Sequence, residues 1–202
     1  MSKIAVDVVL LPSDEMMDKA IQVNAELVKK FSSEIVLNKE NCMPHISLAM
    51  GCINERDIAS IKMLLELIAE LKPTLPLTVT GIRTSINARG EKVSVFQIEK
   101  TKELQSFHEK VMKKVTLYFS YNINSDMIYG DEDVAETTLL WIKNYPEKAS
   151  LENFFPHITI GYGQIENHSL PISFTASQLA LCHLGNHCTC RKILVSIGLK
   201  GA

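Results

Sequence analysis

The sequence predicts an α+β fold of two pseudo-symmetric lobes, each an antiparallel sheet with outer helices, around a central cleft. Three observations lead there. Strand-like runs and helix-periodic runs are mixed along the chain, and several neighbouring strand runs are joined by turns short enough for hairpins. One phrase occurs twice: Pro44-His45-Ile46-Ser47-Leu48-Ala49-Met50-Gly51 and Pro156-His157-Ile158-Thr159-Ile160-Gly161-Tyr162-Gly163. The copies lie about half the chain apart, the spacing that two similar units require. With 202 residues, 46% hydrophobic and 22% charged, and no low-complexity linker, residues 1–202 read as a single bilobal domain.

The elements follow in order. Residues 4–11 are dense in Val, Ile and Leu and read as a buried first strand ended by Pro12. Ser13 is a candidate N-cap, and Met17, Ala20, Ile21, Asn24, Leu27, Val28 and Phe31 follow at helical spacing. A short strand is expected over 34–37. The first copy of the repeat comes next, a run opened by Pro and closed by Gly that reads as a short buried strand. Asn54 is expected to cap a helix whose apolar stripe is Ile58, Ile61, Leu64, Leu65, Ile68 and Leu71, closed by Pro73.

Residues 75–86 and 92–98 read as a hairpin turning at Asn87-Ala88-Arg89-Gly90. Thr101 caps a third helix with Leu104, Phe107, Val111, Val115 and Tyr118 inward. Residues 121–131 are polar and irregular. A fourth helix over 133–144 ends before Pro146, because proline cannot continue the hydrogen-bond ladder. A loop at 148–153 leads to the second copy. Residues 173–184 and 187–199 form a last hairpin around Gly185-Asn186.

Strand side chains alternate, so a histidine and a hydroxyl at i and i+2 face one side. Each copy thus offers one imidazole and one hydroxyl to a common surface: His45 with Ser47, and His157 with Thr159. Histidine's ordinary pKa lies nearest neutrality, and two imidazoles across a cleft can act as base and acid. In phosphoester displacement the attacking and departing oxygens lie roughly in line. One imidazole takes a proton on one side while the other gives one opposite. The hydroxyls would donate to the non-bridging oxygens. No metal or other cofactor is needed, and each motif supplies one imidazole and one hydroxyl with no nearby carboxylate, a poor metal set.

Other features take plainer readings. His108, His168, His183 and His187 read as structural. The cluster Cys182-His183 to His187-Cys188-Thr189-Cys190 suggests zinc, but a hairpin turning at 185–186 would put His183, Cys188 and Cys190 on one face and Cys182 with His187 on the other. Structural zinc wants four ligands together. Phe154 and Phe155 read as core, and Tyr162 as a surface on which a base could stack. The net charge of −2 and the lack of a Lys/Arg block exclude a broad duplex nucleic-acid footprint. Five cysteines without a secretory signal point to a reduced, cytoplasmic protein, and no apolar run approaches a membrane span.

His-x-Ser and His-x-Thr, each as Pro-His-Ile-[Ser/Thr] in an apolar strand, one per half of the chain, resemble the 2H phosphoesterase superfamily, in particular its RNA-ligase-like and cyclic phosphodiesterase branch. The resemblance covers most of the chain. It implies a metal-independent phosphodiesterase that opens a 2′,3′-cyclic phosphate or a 2′-5′ linkage, with His45, Ser47, His157 and Thr159 as the catalytic set. The partner it implies is a small nucleotide or short RNA, handled by a monomer. A non-catalytic nucleotide- or RNA-binding module, and RNA 2′-5′ ligation, are the alternatives. Bacterial RNA-ligase-like members often carry an Arg just after the second motif; here Gly161, Tyr162 and Gly163 stand there.

Overall fold

The first strand, β1 (Lys3–Pro12), is buried at every residue after Lys3. The computed structural model describes residues 2–31, 34–70, 73–87, 89–131, 133–165 and 169–200. Leu71, Ala88 and His168 therefore lie outside the described residues.

Behind β1 the chain runs α1 (Asp14–Phe31), β2 (Ile46–Asn54), α2 (Ile58–Glu70), β3 (Leu75–Ile86), β4 (Lys92–Ile98), α3 (Lys102–Val115), α4 (Glu136–Lys148), β5 (His157–Tyr162), β6 (Ile172–Leu184) and β7 (Cys190–Gly198). The class is α+β, and all strand pairings are antiparallel. The seven strands form one sheet in the order β2-β1-β6-β3-β4-β5, with β7 also on β6. β6 is the branch point. Along one edge it pairs with β1, while on the other edge β3 takes residues 172–176 and β7 takes residues 178–184. The two repeat strands, β2 and β5, are the ends of this order, and those ends touch. A sheet whose ends meet must curl, as accumulated strand twist allows.

The main core lies on the face of β1 that carries Ile4, Val6, Val8 and Leu10, under α2 and α3 with Ile61, Leu65, Leu104, Phe107 and Val111. A smaller cluster lies on the opposite face: Val9 and Leu11 with Met43, Ala180, Cys182 and Cys190. Among the described residues no helix is long and apolar enough to cross a membrane.

Several expectations are corrected. Residues 34–37 are not a strand; the buried Asn24 side chain replaces a partner strand by donating to the Ile35 carbonyl (2.8 Å) and accepting from the Leu37 N–H (2.8 Å). Gly51 does not close β2, which runs on to Asn54 because its pairing with β1 continues to Lys3. Asn54 does not cap with its side chain, which instead donates to Asp57 (3.0 Å). The fourth helix runs through Pro146 to Lys148, its last turn closed by Ala149 N–H on the Tyr145 carbonyl (2.9 Å) and by the Ser150 hydroxyl on the Pro146 carbonyl (2.6 Å). Phe31 is half exposed rather than inward. Thr101 does cap α3, accepting from Leu104 N–H at 3.1 Å.

The last hairpin differs most. Its loop spans residues 185–189, so Leu184 pairs with Cys190. Residues two apart in a strand share a face, so Cys182 and Cys190 face the same way, and they form a disulfide. The expected split of these two cysteines and the expected reduced state both fail for this pair, because the turn is longer than two residues.

Candidate active site

Both repeat strands start from the same local device. Pro44 and Pro156 hold the preceding residue extended, which brings the carbonyl of residue i−2 back to the imidazole. His45 Nδ1 lies 2.8 Å from the Met43 carbonyl, and His157 Nδ1 lies 2.7 Å from the Phe155 carbonyl. A carbonyl only accepts, so each Nδ1 carries the hydrogen and each Nε2 is left for chemistry. Burial alternates identically in the two copies: Pro, Ile and Leu/Ile are buried, while His and the hydroxyl residue are partly exposed on one side.

Each strand then bulges at the same place. Val9 pairs with Ser47 and Val8 with Ala49, leaving Leu48 unpaired. Val95 pairs with Thr159 and Ser94 with Gly161, leaving Ile160 unpaired. The freed carbonyls are taken by buried side chains from helices. His108 on α3 donates from Nδ1 to the Leu48 carbonyl (2.8 Å), and Asn24 on α1 donates to the Ile160 carbonyl (2.7 Å). His108 is thus the structural histidine expected: its Nε2 accepts the Leu151 N–H at 2.8 Å, and Phe154 stacks on its ring at 4.0 Å. A bulge shifts the alternation by one. Met50 therefore joins Ser47 on the face shared with Val9 and Asp7, and Tyr162 joins Thr159 on the face shared with Val95 and Val93.

His45 senses the charge of His157. Burial pushes the His45 pKa down to about 4, against the Met43 hydrogen bond, and the charge of His157 lowers it further. Burial also lowers His157, against its bond to Phe155. The carboxylate-free surroundings expected for the motifs do not hold. Asp7 Oδ2 lies 3.9 Å from His45 Nε2.

Tyr162 is anchored rather than free. Its hydroxyl lies 2.9 Å from His187 Nδ1, and His187 Nε2 lies 2.8 Å from a Glu34 carboxylate oxygen. The carboxylate accepts from Nε2–H, so in the neutral ring Nδ1 accepts from the phenol. Phe155, expected in the core, is partly exposed instead: it stacks on His157 with centroids 5.4 Å apart, and the Arg83 guanidinium lies 5.1 Å over its ring. Arg83 pairs with Val95, which pairs with Thr159, so all three face one side. Sequence reasoning missed Asp7, Asn24, Arg83 and the Glu34–His187 pair. Two had a visible signal: Asp7, a charge inside an otherwise apolar strand, and Asn24, a carboxamide among the apolar positions of the first helix.

Of the suspected zinc cluster, Cys188 is a free thiol and the other Cys and His side chains are otherwise engaged. Cys182 is bonded to Cys190, His183 Nε2 lies 3.0 Å from the Met127 carbonyl, and His187 holds Tyr162 and Glu34. Among the described residues no group of three His, Cys, Asp or Glu side chains is placed to hold a metal ion.

No family model and no curated protein matches the chain. Solved structures do match. TT0787 of Thermus thermophilus has a TM-score of 0.63 at 14% identity, over 98% of this chain and 99% of that one. E. coli LigT complexed with ATP has a TM-score of 0.57 at 12% identity, and LigT complexed with 3′-AMP has 0.55 at 13%, each over 98% of this chain and 99% of that one. At these identities the likeness is one of fold.

Proposed function

We propose that this chain is a 2H phosphoesterase that opens a 2′,3′-cyclic phosphate or a 2′-5′ linkage in a nucleotide or short RNA by two-histidine acid–base catalysis. The observation that carries the reading is the twinned imidazole. Two histidines, each with Nδ1 occupied by the carbonyl two residues back, keep Nε2 for proton transfer and lie within electrostatic reach of each other.

In the reaction, water attacks phosphorus and loses its proton to one Nε2, while the departing ester oxygen takes a proton from the other. The hydroxyls of Ser47 and Thr159 donate to the non-bridging oxygens as charge builds there. No metal takes part in these steps. With a ribose hydroxyl in place of water as the attacking group, the same proton transfers open a cyclic phosphate onto that hydroxyl and form a new phosphodiester, which is the ligation alternative. The LigT complexes with 3′-AMP and ATP support a nucleotide ligand. Arg83 beside Phe155 is then the cation for the ligand's phosphate, in place of the Arg absent after the second motif, and Phe155 or Tyr162 is the surface for its base.

The test is turnover of a 2′,3′-cyclic nucleotide and of a 2′-5′ dinucleotide with a chelator present, and identification of the phosphomonoester formed. Turnover that survives the chelator is expected on at least one substrate. Tight nucleotide binding with no turnover on a panel of cyclic phosphates would replace the enzyme with a binding module. Loss of activity on chelation would overturn the metal-free scheme.

A further inference from the structure

Asp7 is a charge inside the apolar run of β1, and no step above uses it. Its side chain is fully buried, and neither carboxyl oxygen has a hydrogen-bond partner among the described residues. Ser47 and the Ala49 backbone lie close enough to favour the anion, but burial outweighs them and neither completes a bond of good geometry. The other groups around it are His45 at 3.9 Å, Tyr145 from α4, Cys188 from the β6–β7 loop, and the disulfide sulfur of Cys182 on the neighbouring strand. An imidazole, a hydroxyl, a phenol and a thiol include no fixed positive charge. A bare carboxylate there would be left uncompensated, which is costly. The carboxyl is stable as the neutral acid, or as the anion beside an imidazolium. The equivalent place in the other repeat is Val93, which pairs with Tyr162 as Asp7 pairs with Met50. The carboxyl therefore makes a nearly symmetric site asymmetric.

We propose that Asp7 is the proton reservoir of the site: it holds one proton beside His45 Nε2 and passes it to that nitrogen when an anionic phosphate binds, so that His45 is the acid and His157 the base. This rests on the phosphodiesterase reading for its role in turnover, but not for the proton itself. At 3.9 Å the resting contact is electrostatic rather than a hydrogen bond, so Nε2 is open at rest, and the proton crosses only as the pair closes to hydrogen-bond distance when phosphate binds. Burial raises the Asp7 pKa to about 8 and lowers that of His45 to about 4, which puts the resting proton on the carboxyl at neutral pH; the two titrate as a pair. The step balances. A bond forms from water oxygen to phosphorus, and the water proton goes to His157 Nε2. The bond from phosphorus to the ester oxygen breaks, and that oxygen takes the proton that passed from Asp7 through His45. The products are a phosphomonoester, His157 imidazolium and Asp7 carboxylate, and solvent returns the proton. Asp7 acts through His45 and is a positioning residue.

The test reads the proton directly. The infrared difference between wild type and Asp7→Asn at pH 7 should contain the carbonyl stretch of a protonated carboxylic acid. Inorganic phosphate at saturation should remove it. Wild type labelled with [13C]aspartate gives the same reading if the variant does not fold. No such band, or a band that phosphate leaves unchanged, overturns the proposal. In turnover, Asp7→Asn should lose about tenfold or more in kcat on a 2′,3′-cyclic nucleotide with little change in KM. On bis(4-nitrophenyl) phosphate, whose leaving group needs no proton, it should stay within about threefold of wild type. Equal loss on both substrates overturns the assignment of His45 as acid. A wild type inactive on both, with the band responding to phosphate as described, ends the phosphodiesterase reading and leaves the Asp7–His45 pair standing.

Discussion

β2 and β5 repeat one another down to individual hydrogen bonds. In each, a proline precedes a histidine tied by Nδ1 to the carbonyl two residues back, a hydroxyl follows on the same side, and a bulge follows the hydroxyl. Even the bulge carbonyls are held alike, though by unlike groups: an imidazole from α3 at Leu48 and a carboxamide from α1 at Ile160. The halves part at the third position on the histidine's side. β2 carries Met50 beside the buried carboxyl of Asp7. β5 carries Tyr162 beside Val93, with the phenol anchored on His187. The comparison teaches that the repeat preserves backbone geometry and varies charge. Under the proposed acid–base scheme, two imidazoles with opposite tasks need equal placement and unequal surroundings.

The largest effect expected from breaking the equality is loss of an imidazole. His45→Ala and His157→Ala should each lower turnover by on the order of a hundredfold or more, because each removes a proton-transfer partner. The double variant should lose less than the product of the single losses, because the pair acts as one unit. Turnover near wild type in either single variant, at an unchanged melting temperature, would sink the mechanism.

Removing a hydroxyl is the next step down. Ser47→Ala and Thr159→Val should each cost about tenfold in kcat, through a lost donor to the phosphoryl oxygens. If only one of the two matters, the phosphate is held by one half, and the comparison must be redrawn as a catalytic half and a scaffold half.

The bulge clamps are tested by stability. Asn24→Ala strands the Ile160 carbonyl and the Leu37 N–H and takes a donor from the Ile35 carbonyl, and His108→Ala strands the Leu48 carbonyl and the Leu151 N–H. Each should cost roughly 2–3 kcal/mol in denaturant unfolding, the penalty for buried polar groups left unpaired. A cost under about 0.5 kcal/mol in either would show that water replaces that clamp.

The smallest effect is in the pH dependence of stability. His45 and His108 are both lowered by burial to about 4, so the unfolded chain binds more protons between pH 4 and 6.5, and stability rises with pH there. Asp7 is raised from 3.8 to about 8, so it binds more protons folded than unfolded over that range, and its contribution falls as pH rises. The opposing slopes overlap below pH 6.5, and above it Asp7 acts without them. Wild type should therefore lose melting temperature between pH 6.5 and 8, and Asp7→Asn should lose less. Parallel curves for the two proteins across that window would show that Asp7 is ionised in the folded state well below neutrality.

Much of this was legible in the sequence. The α+β class, the bounds of β3 and β4, and the Thr101 cap follow from local pattern, because alternation, helical spacing and capping act over a few residues. The repeat and its two histidines, each with a hydroxyl two residues on, are likewise local. Features that depend on what lies opposite were not legible. The register shift that brings Tyr162 round to the Thr159 side is set by pairing with β4. The five-residue loop that unites Cys182 with Cys190 is set by pairing between β6 and β7. Residues 34–37 forgo a strand because Asn24, on a helix already past, satisfies their backbone. Asp7 stands 38 residues before His45, and nothing local relates the two. Hydrogen-bond geometry within one turn or strand is fixed by the residues themselves, and the sequence determines it. Which buried group meets which imidazole is fixed by how the sheet curls its ends together, and only the tertiary structure decides that.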